Sequence, residues 1–311
     1  LLVTAEAFRS KVAEKAPDFP WGDRVCDIAD VLKSAPRWRI ALKAALVRIF
    51  PASWTPVLLG VPSTGGDAEA ALLFTSGSSG EPKGVILSHR NLLANLRQIE
   101  DADILPDGAV LLSSLPVFHS FGFTVGVWFA LSRPVVLVTL PSPLDSAAAV
   151  RAIREEKVTV VVGTPTFLRP YLRRGTKEDF ASLEWAVVGA EKCPQDLVDA
   201  FRDQFDVRLL EGYGITETSP VLSVNVPDRP DPSAPGGLWS GNLTGSVGRP
   251  VMGVAVRTVS PDDGRELPPG EAGLLEVRAP NVFGGYLGDP GEVLRGAPRR
   301  LVSHRRPGTH G

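Results

Sequence analysis

The chain has 311 residues, 43% of them hydrophobic and 22% charged, with a formal net charge of −2. That balance excludes an intrinsically disordered chain and a general electrostatic pull toward nucleic acid, and the length suffices for one or two domains with a sizeable core. Two cysteines, Cys26 and Cys193, make neither a disulfide framework nor a metal-site spacing, which points to a reducing, cytoplasmic setting.

The chain opens on Leu1, and residues 1–20 carry charges throughout (Glu6, Arg9, Lys11, Glu14, Lys15), so no signal-peptide pattern is expected there. After a short helical pattern, residues 41–50 set Lys43 and Arg48 against Leu42, Leu46 and Ile49, as a surface helix would. Residues 61–67 read as a loop. Short apolar runs at 70–74 and 84–87 predict strands, and residues 91–100 a helix. Residues 109–132 contain no Asp, Glu, Lys or Arg and are long enough to span a bilayer. Ser113, Ser114, Pro116, His119, Ser120, Gly122 and Gly126 interrupt them, so the segment reads as a buried strand–loop–helix unit and not as a transmembrane helix.

Strands at 110–115 and 135–140, a helix at 146–156 and a strand at 158–162 follow. The last is apolar on both faces, as a strand buried in a parallel sheet must be. Strand 185–188, helix 195–205 and strand 207–210 repeat the alternation, which defines an α/β architecture. From residue 227 Pro and Gly become dense, and strands 254–259 and 273–278 flank a turn-rich stretch. The expected organisation is an incomplete N-terminal portion at 1–69, an α/β core at 70–235, a small β subdomain at 236–290 and an aberrant tail at 291–311.

The segment carrying most chemistry is Thr75-Ser76-Gly77-Ser78-Ser79-Gly80-Glu81-Pro82-Lys83-Gly84. Glycines let consecutive N–H groups approach phosphate oxygens, hydroxyls add donors, and Lys83 adds a point charge. A Walker loop needs Gly-Lys-Ser/Thr in succession; here Gly84 follows Lys83, which excludes that reading. A Gly/Ser run is also compatible with a flexible linker, but the Pro-Lys-Gly ending and the flanking strands favour phosphate binding.

This segment resembles the signature of the adenylate-forming superfamily, which includes acyl-CoA synthetases, luciferases and peptide-synthetase adenylation domains. Leu115-Pro116-Val117-Phe118-His119-Ser120-Phe121-Gly122 is similar to its acyl-pocket motif, and Gly189-Ala190-Glu191 to its adenine loop. Glu211-Gly212-Tyr213-Gly214-Ile215-Thr216-Glu217 matches a second signature, and Gly285-Tyr286-Leu287 closes a stretch similar to the start of the β subdomain. Phe118 to Gly126 and Val224-Asn225-Val226-Pro227 further resemble the synthetase half of the bifunctional acyltransferase/acyl-acyl-carrier-protein synthetase, which works at the inner face of the bacterial membrane. By that resemblance the chain would be peripheral to the membrane through a partner domain it does not itself contain.

The resemblance implies a fold of layered mixed sheets with flanking helices, and activation of a carboxylate with ATP to acyl-AMP and pyrophosphate. It gives Thr75, Ser76, Gly77, Ser78, Ser79, Gly80 and Lys83 to the β- and γ-phosphates, and Gly189, Ala190, Glu191, Glu211, Gly212, Tyr213 and Gly214 to the rest of the nucleotide. Tyr213 would stack on adenine, Thr216 contact the α-phosphate, and Glu217 bind Mg2+; with Lys83 these two would be catalytic. His119, Phe121, Gly163, Thr164 and Phe167 are expected to line the substrate pocket. The residues alone allow plainer readings: Tyr213 and Phe167 as core aromatics, Glu217 as a solvated charge, and Glu191 paired with Lys192. Cys193 reads as a small buried residue, not a nucleophile.

The family's Trp-Tyr-x-Thr-Gly-Asp motif, whose Asp binds ribose, is not found. Leu301 to Pro307 can be encoded as CTG GTA TCG CAC CGG CGA CCN, whose next frame reads Trp-Tyr-Arg-Thr-Gly-Asp. The tail is therefore read as the product of a frameshift between about Tyr286 and Arg300, against the alternative of a genuine basic arm. The expected function is ATP-dependent activation of a long-chain fatty acid for transfer to acyl carrier protein or coenzyme A, impaired in this chain. The alternative is a non-catalytic nucleotide- or acyl-binding remnant, and an aryl or amino acid substrate is a further rival.

Overall fold

The computed structural model describes residues 2–21, 25–61, 65–76 and 82–288, which fall into two units divided between residues 64 and 65. In the first, β1 (Leu2–Thr4) pairs in parallel with β2 (Val25–Asp27), accompanied by α1 (Glu6–Lys15), α2 (Ile28–Ser34), α3 (Arg37–Ile49) and α4 (Thr55–Leu59). The Asp27 carboxylate caps α2 by accepting the Ala29 N–H at 2.7 Å. Pro36 occupies the N-cap of α3, so that helix starts a turn earlier than the basic run at 41–50 suggests. None of α2, α3 and α4 contains a buried residue.

The second unit begins with an antiparallel hairpin, β3 (Glu69–Ser76) and β4 (Pro82–Ser88), with Thr75 opposite Lys83. α5 (His89–Asp101) follows at once, because the Ser88 hydroxyl accepts the Asn91 N–H while Asn91 Oδ1 accepts the Ser88 N–H. The chain continues through β5 (Val110–Ser113), a π-helix over Gly122–Phe129, β6 (Val136–Thr139), α6 (Ser146–Glu155), β7 (Val160–Gly163), α7 (Pro165–Leu168), β8 (Trp185–Val188) and α8 (Gln195–Phe205). Residues 109–132 thus fold as strand, loop and helix. Among the described residues no helix is long and apolar enough to cross a membrane.

β9 (Arg208–Gly214) turns into β10 (Val221–Val224); the short pairs β11 (Arg229–Pro230) with β12 (Leu238–Trp239), and β13 (Arg249–Pro250) with β10, come next. β14 (Ala255–Val259) and β15 (Leu274–Arg278) form a hairpin, and β16 (Gly285–Tyr286) returns to pair with β4. The main sheet has the order β13-β10-β9-β8-β7-β5-β6; the five strands from β9 to β6 are parallel, β10 is antiparallel to β9, and β13 is antiparallel to β10. A separate three-stranded sheet has the order β16-β4-β3. This is the layered α/β fold that the sequence predicts.

Alternation along the parallel strands sends side chains into two cores, one on each face. Leu112, Val161, Ala186 and Val188 pack with α6 and α8 around Phe180, Phe201 and Phe205. The Phe180 and Phe205 rings stack at 4.0 Å, 7° from parallel. Leu111, Val160, Val162 and Val187 point to the opposite face, against Leu96 and Ile99 of α5 and Val125 and Phe129 of the π-helix.

Candidate active site

A cavity of about 830 Å3 opens on this second face, where loops leave the C-terminal ends of the parallel strands. Such strand ends are where open α/β sheets bind ligands. The cavity has two chemically distinct parts. Ile99, Ile104, Leu111, Val125, Phe129 and Val162 give one part an apolar wall, and Thr75, Lys83, His119, Thr216, Glu217 and Tyr286 give the other polar and charged groups.

The polar part is assembled from seven loops and strands. Pairing of β3 with β4 sets Thr75 across from Lys83. The Lys83 ammonium lies 4.8 Å from the ring centroid of Tyr286, a cation–π distance. The Tyr286 hydroxyl donates to Glu217 Oε1 at 2.9 Å, and the Phe283 N–H donates to the Glu217 carbonyl at 2.8 Å. Thr216 Oγ1 donates to Ser120 Oγ at 3.2 Å, joining the loop after β9 to the segment after β5. Gly189 and Ala190, at the end of β8, line the cavity, with Ala190 in the left-handed region at φ 67°. Gly212, Tyr213 and Gly214 line it from the end of β9.

Not every residue expected at the site is on its wall. His119 and Phe121 line the cavity, whereas Gly163, Thr164 and Phe167 do not. A Cβ at Gly163 would overlap Leu168 Cδ1, so that glycine serves the packing of α7. Thr164 caps the same helix by accepting the Phe167 N–H at 3.4 Å, and Phe167 packs into the second core. Glu191 points away, its carboxylate accepting the Thr166 hydroxyl at 2.6 Å, which leaves Gly189 and Ala190 at the wall. Glu211 likewise turns away from the cavity: Oε1 accepts the Cys193 N–H at 3.2 Å, and its carbonyl accepts from Asn225. The side chain of Ser76, and Gly77, Ser78, Ser79 and Gly80, lie outside the described residues, as does the tail beyond residue 288.

Burial, with the Glu211 charge adding to it, pushes the Cys193 thiol up to about 11, so it stays protonated and inert at neutral pH. Motif reading passed over Ile99, Ile104, Leu111, Phe129 and Val187, because an apolar residue that borders a cavity looks the same in sequence as one that packs in a filled core. Tyr286 carried a signal, its place in Gly285-Tyr286-Leu287, but no role.

Mg2+ needs only one or two protein carboxylates, with water and phosphate oxygens supplying the rest of its shell. Glu217 meets that demand: it lines the cavity, and among the described residues no hydrogen bond reaches its Oε2. The donor set therefore fits a cation carried in with a nucleotide.

A sheet with five parallel strands and a cavity of this composition at their ends is a frame suited to holding a nucleotide beside an apolar group. Residues 23–287 match the family model of AMP-binding enzymes, and the chain belongs to that family. It is 34% identical over 239 residues to a feruloyl-CoA synthase of an Amycolatopsis species, covering 74% of this chain and 45% of that protein. It is 32% identical over 228 residues to a long-chain-fatty-acid–CoA ligase of Escherichia coli O6:H1, covering 71% of this chain and 38% of that protein. The structure is similar to ATP-bound MatB from Rhodopseudomonas palustris, with a TM-score of 0.71 and 27% identity over 93% of this chain and 52% of that one. The chain thus spans about half or less of the length of these relatives.

Proposed function

We propose that the protein activates an apolar carboxylic acid with ATP, forming an acyl-adenylate and pyrophosphate, and passes the acyl group to a thiol. One observation carries this reading: a single cavity holds both a polar end suited to a triphosphate and an apolar end suited to an acyl tail. A carboxylate oxygen attacks the α-phosphorus, the bond to the bridging oxygen of pyrophosphate breaks, and a thiolate then displaces AMP from the acyl carbon. Both reactants of the first step are anions, so charge neutralisation and alignment must supply most of the acceleration.

Lys83 places its ammonium at the polar end, and the Thr216 hydroxyl, which donates to Ser120, would turn its one proton to an α-phosphate oxygen when a nucleotide binds. Tyr213, between Gly212 and Gly214 on the wall, offers a ring for adenine. Glu217 would hold Mg2+, which when bound supplies positive charge to the phosphates. No proton need leave a carboxylate nucleophile, so His119 is assigned to the wall and not to acid–base work.

A long-chain fatty acid suits the wall contributed by α5, β5, the π-helix and β7, which presents no hydroxyl. A buried phenol left unpaired there would cost roughly 1–3 kcal/mol. Likeness to the feruloyl-CoA synthase supports a second reading, an aromatic acid whose ring packs against the same residues. We assign coenzyme A as the acceptor, since these two relatives are named for that thiol; an acyl carrier protein is the alternative.

The test is incubation of the 311-residue chain with ATP, Mg2+ and either palmitate or ferulate, reading acyl-AMP by mass spectrometry and pyrophosphate release. Acyl-AMP from palmitate in excess over ferulate is expected, and the reverse ratio selects the aromatic acid. Nucleotide binding without any acyl-AMP selects the non-catalytic binding protein, and absence of both overturns the proposal. Adding coenzyme A or holo acyl carrier protein to a productive mixture identifies the acceptor.

A further inference from the structure

We propose that Tyr286 is a positioning residue for the Glu217 carboxylate, and that residues 281–286 form a strap that presents this carboxylate to a nucleotide-borne divalent cation. The inference rests on the function proposed for the same cavity and adds a residue to its machinery.

The strap meets the loop between β9 and β10 at five hydrogen bonds. Asn281 is fully buried, and its Nδ2 donates to the carbonyls of Thr218 and Val221 at 2.6 and 3.1 Å. Ser219 Oγ donates to the Asn281 carbonyl at 2.9 Å, and the Phe283 N–H to the Glu217 carbonyl at 2.8 Å. These four fix the backbone beneath Glu217. The fifth, from the Tyr286 hydroxyl to Oε1, fixes the side chain.

The phenol is itself held on three sides. β16 pairs with β4 so that Tyr286 lies opposite Val85, and Phe283, 4% exposed, meets the Tyr286 ring with centroids 4.8 Å apart at 70°. Lys83 lies over the ring. The donor's chemistry matters as much as its placement. An ammonium on Glu217 would orient the carboxylate but cancel its charge, whereas a neutral hydroxyl orients one oxygen and leaves the negative charge for a cation. Partners that hold a metal ligand in this way commonly contribute tenfold or more in metal affinity. Because the Lys83 ammonium lies over the Tyr286 ring face, one residue spaces the phosphate cation from the metal carboxylate.

Calorimetric titration of ATP into the full 311-residue chain at graded Mg2+, and with the metal chelated, tests this. Tyr286→Phe keeps the ring over Lys83 and removes only the hydroxyl. The expected result is a rise of about tenfold in the Mg2+ concentration for half-maximal ATP binding, with the metal-free affinity unchanged. Glu217→Gln should abolish most of the Mg2+ dependence, and Tyr286→Phe added to it should change nothing further. A purely structural Tyr286 would lower binding equally with and without Mg2+ and would add to Glu217→Gln; either result overturns the proposal. So does a Tyr286→Phe protein with the parent's Mg2+ dependence. A parent chain that binds no ATP at any Mg2+ concentration instead overturns the proposed function, and the positioning role with it.

Discussion

Gly214 closes β9 where the chain folds back on itself, and its α-carbon faces the Pro220 carbonyl so closely that an added Cβ would overlap that oxygen. The Ile215 N–H donates to the same oxygen at 3.1 Å, so the turn carrying Thr216 and Glu217 is built around this contact. Gly214→Ala is therefore expected to displace both residues from the cavity. Overpacking of this kind typically costs about 1–3 kcal/mol. Urea denaturation should register that loss, and ATP affinity should fall by more than tenfold; a variant that binds ATP like the parent would show that the turn has slack. Gly163 faces the end of the buried Leu168 side chain and serves α7, so Gly163→Ala should lower stability by less than Gly214→Ala does, while leaving ATP affinity of the folded fraction unchanged. The two glycines look alike as sequence, and only the partner each one faces separates a site residue from a packing residue.

At the scale of elements, α5 ties β10 of the main sheet to the loops before β14 and β16 through amides. Asn91 Nδ2 donates to the carbonyls of Pro280 and Val282, Gln98 Nε2 to that of Met252, and Asn95 exchanges two hydrogen bonds with the Val221 backbone at 2.8 and 3.1 Å. Asn95 is fully buried. Asn95→Leu keeps the branched shape but strands the Val221 N–H and removes one of the two donors to its carbonyl, which Asn281 Nδ2 still reaches, for an expected loss of about 1–3 kcal/mol, seen as a lower urea midpoint with an unchanged slope. A neutral result would show that Val221 finds other partners. Residues 91–100 were legible as a helix, and the structure extends it only to His89 and Asp101. That its amide face is buried was not legible, because Asn and Gln at helical spacing look the same as a solvent-facing stripe.

The strands were read more fully than the helices' surroundings. Residues 185–188 were identified to the residue, since an apolar run in a parallel sheet declares its burial on both faces. The signature Glu211 to Gly214 belongs to β9 and not to a loop after it, which is why Glu211, on the same face of the strand as Leu209 of the first core, turns toward Cys193. The motifs thus located the polar end of the cavity by residue type. Its apolar end comes from Ile99, Leu111, Phe129 and Val162, set far apart in the chain and brought together only by the strand order.

The molecule as a whole places its cavity on one face of the main sheet and its most deeply buried titratable groups on the other. Cys193 and Tyr171 both belong to the core packed by α6 and α8. Burial raises the thiol to about 11 and the phenol to about 12, above their ordinary values of 9.0 and 10.0. The unfolded chain releases each proton at the ordinary value while the folded chain still holds it, so between these limits the unfolded state binds fewer protons. Stability is then fully present below pH 9 and falls as pH rises through about 11 and 12, the slope following the difference in bound protons. Urea midpoints taken from pH 8 to pH 11 should decline accordingly. Cys193→Ala should flatten the earlier part of the decline and Tyr171→Phe the later part. Because neither group lines the cavity, Cys193→Ala and Tyr171→Phe should each bind ATP as the parent does at pH 8. An ATP affinity that changes with either substitution would mean that the two faces of the sheet are coupled, and that the core behind it sets the geometry of the site.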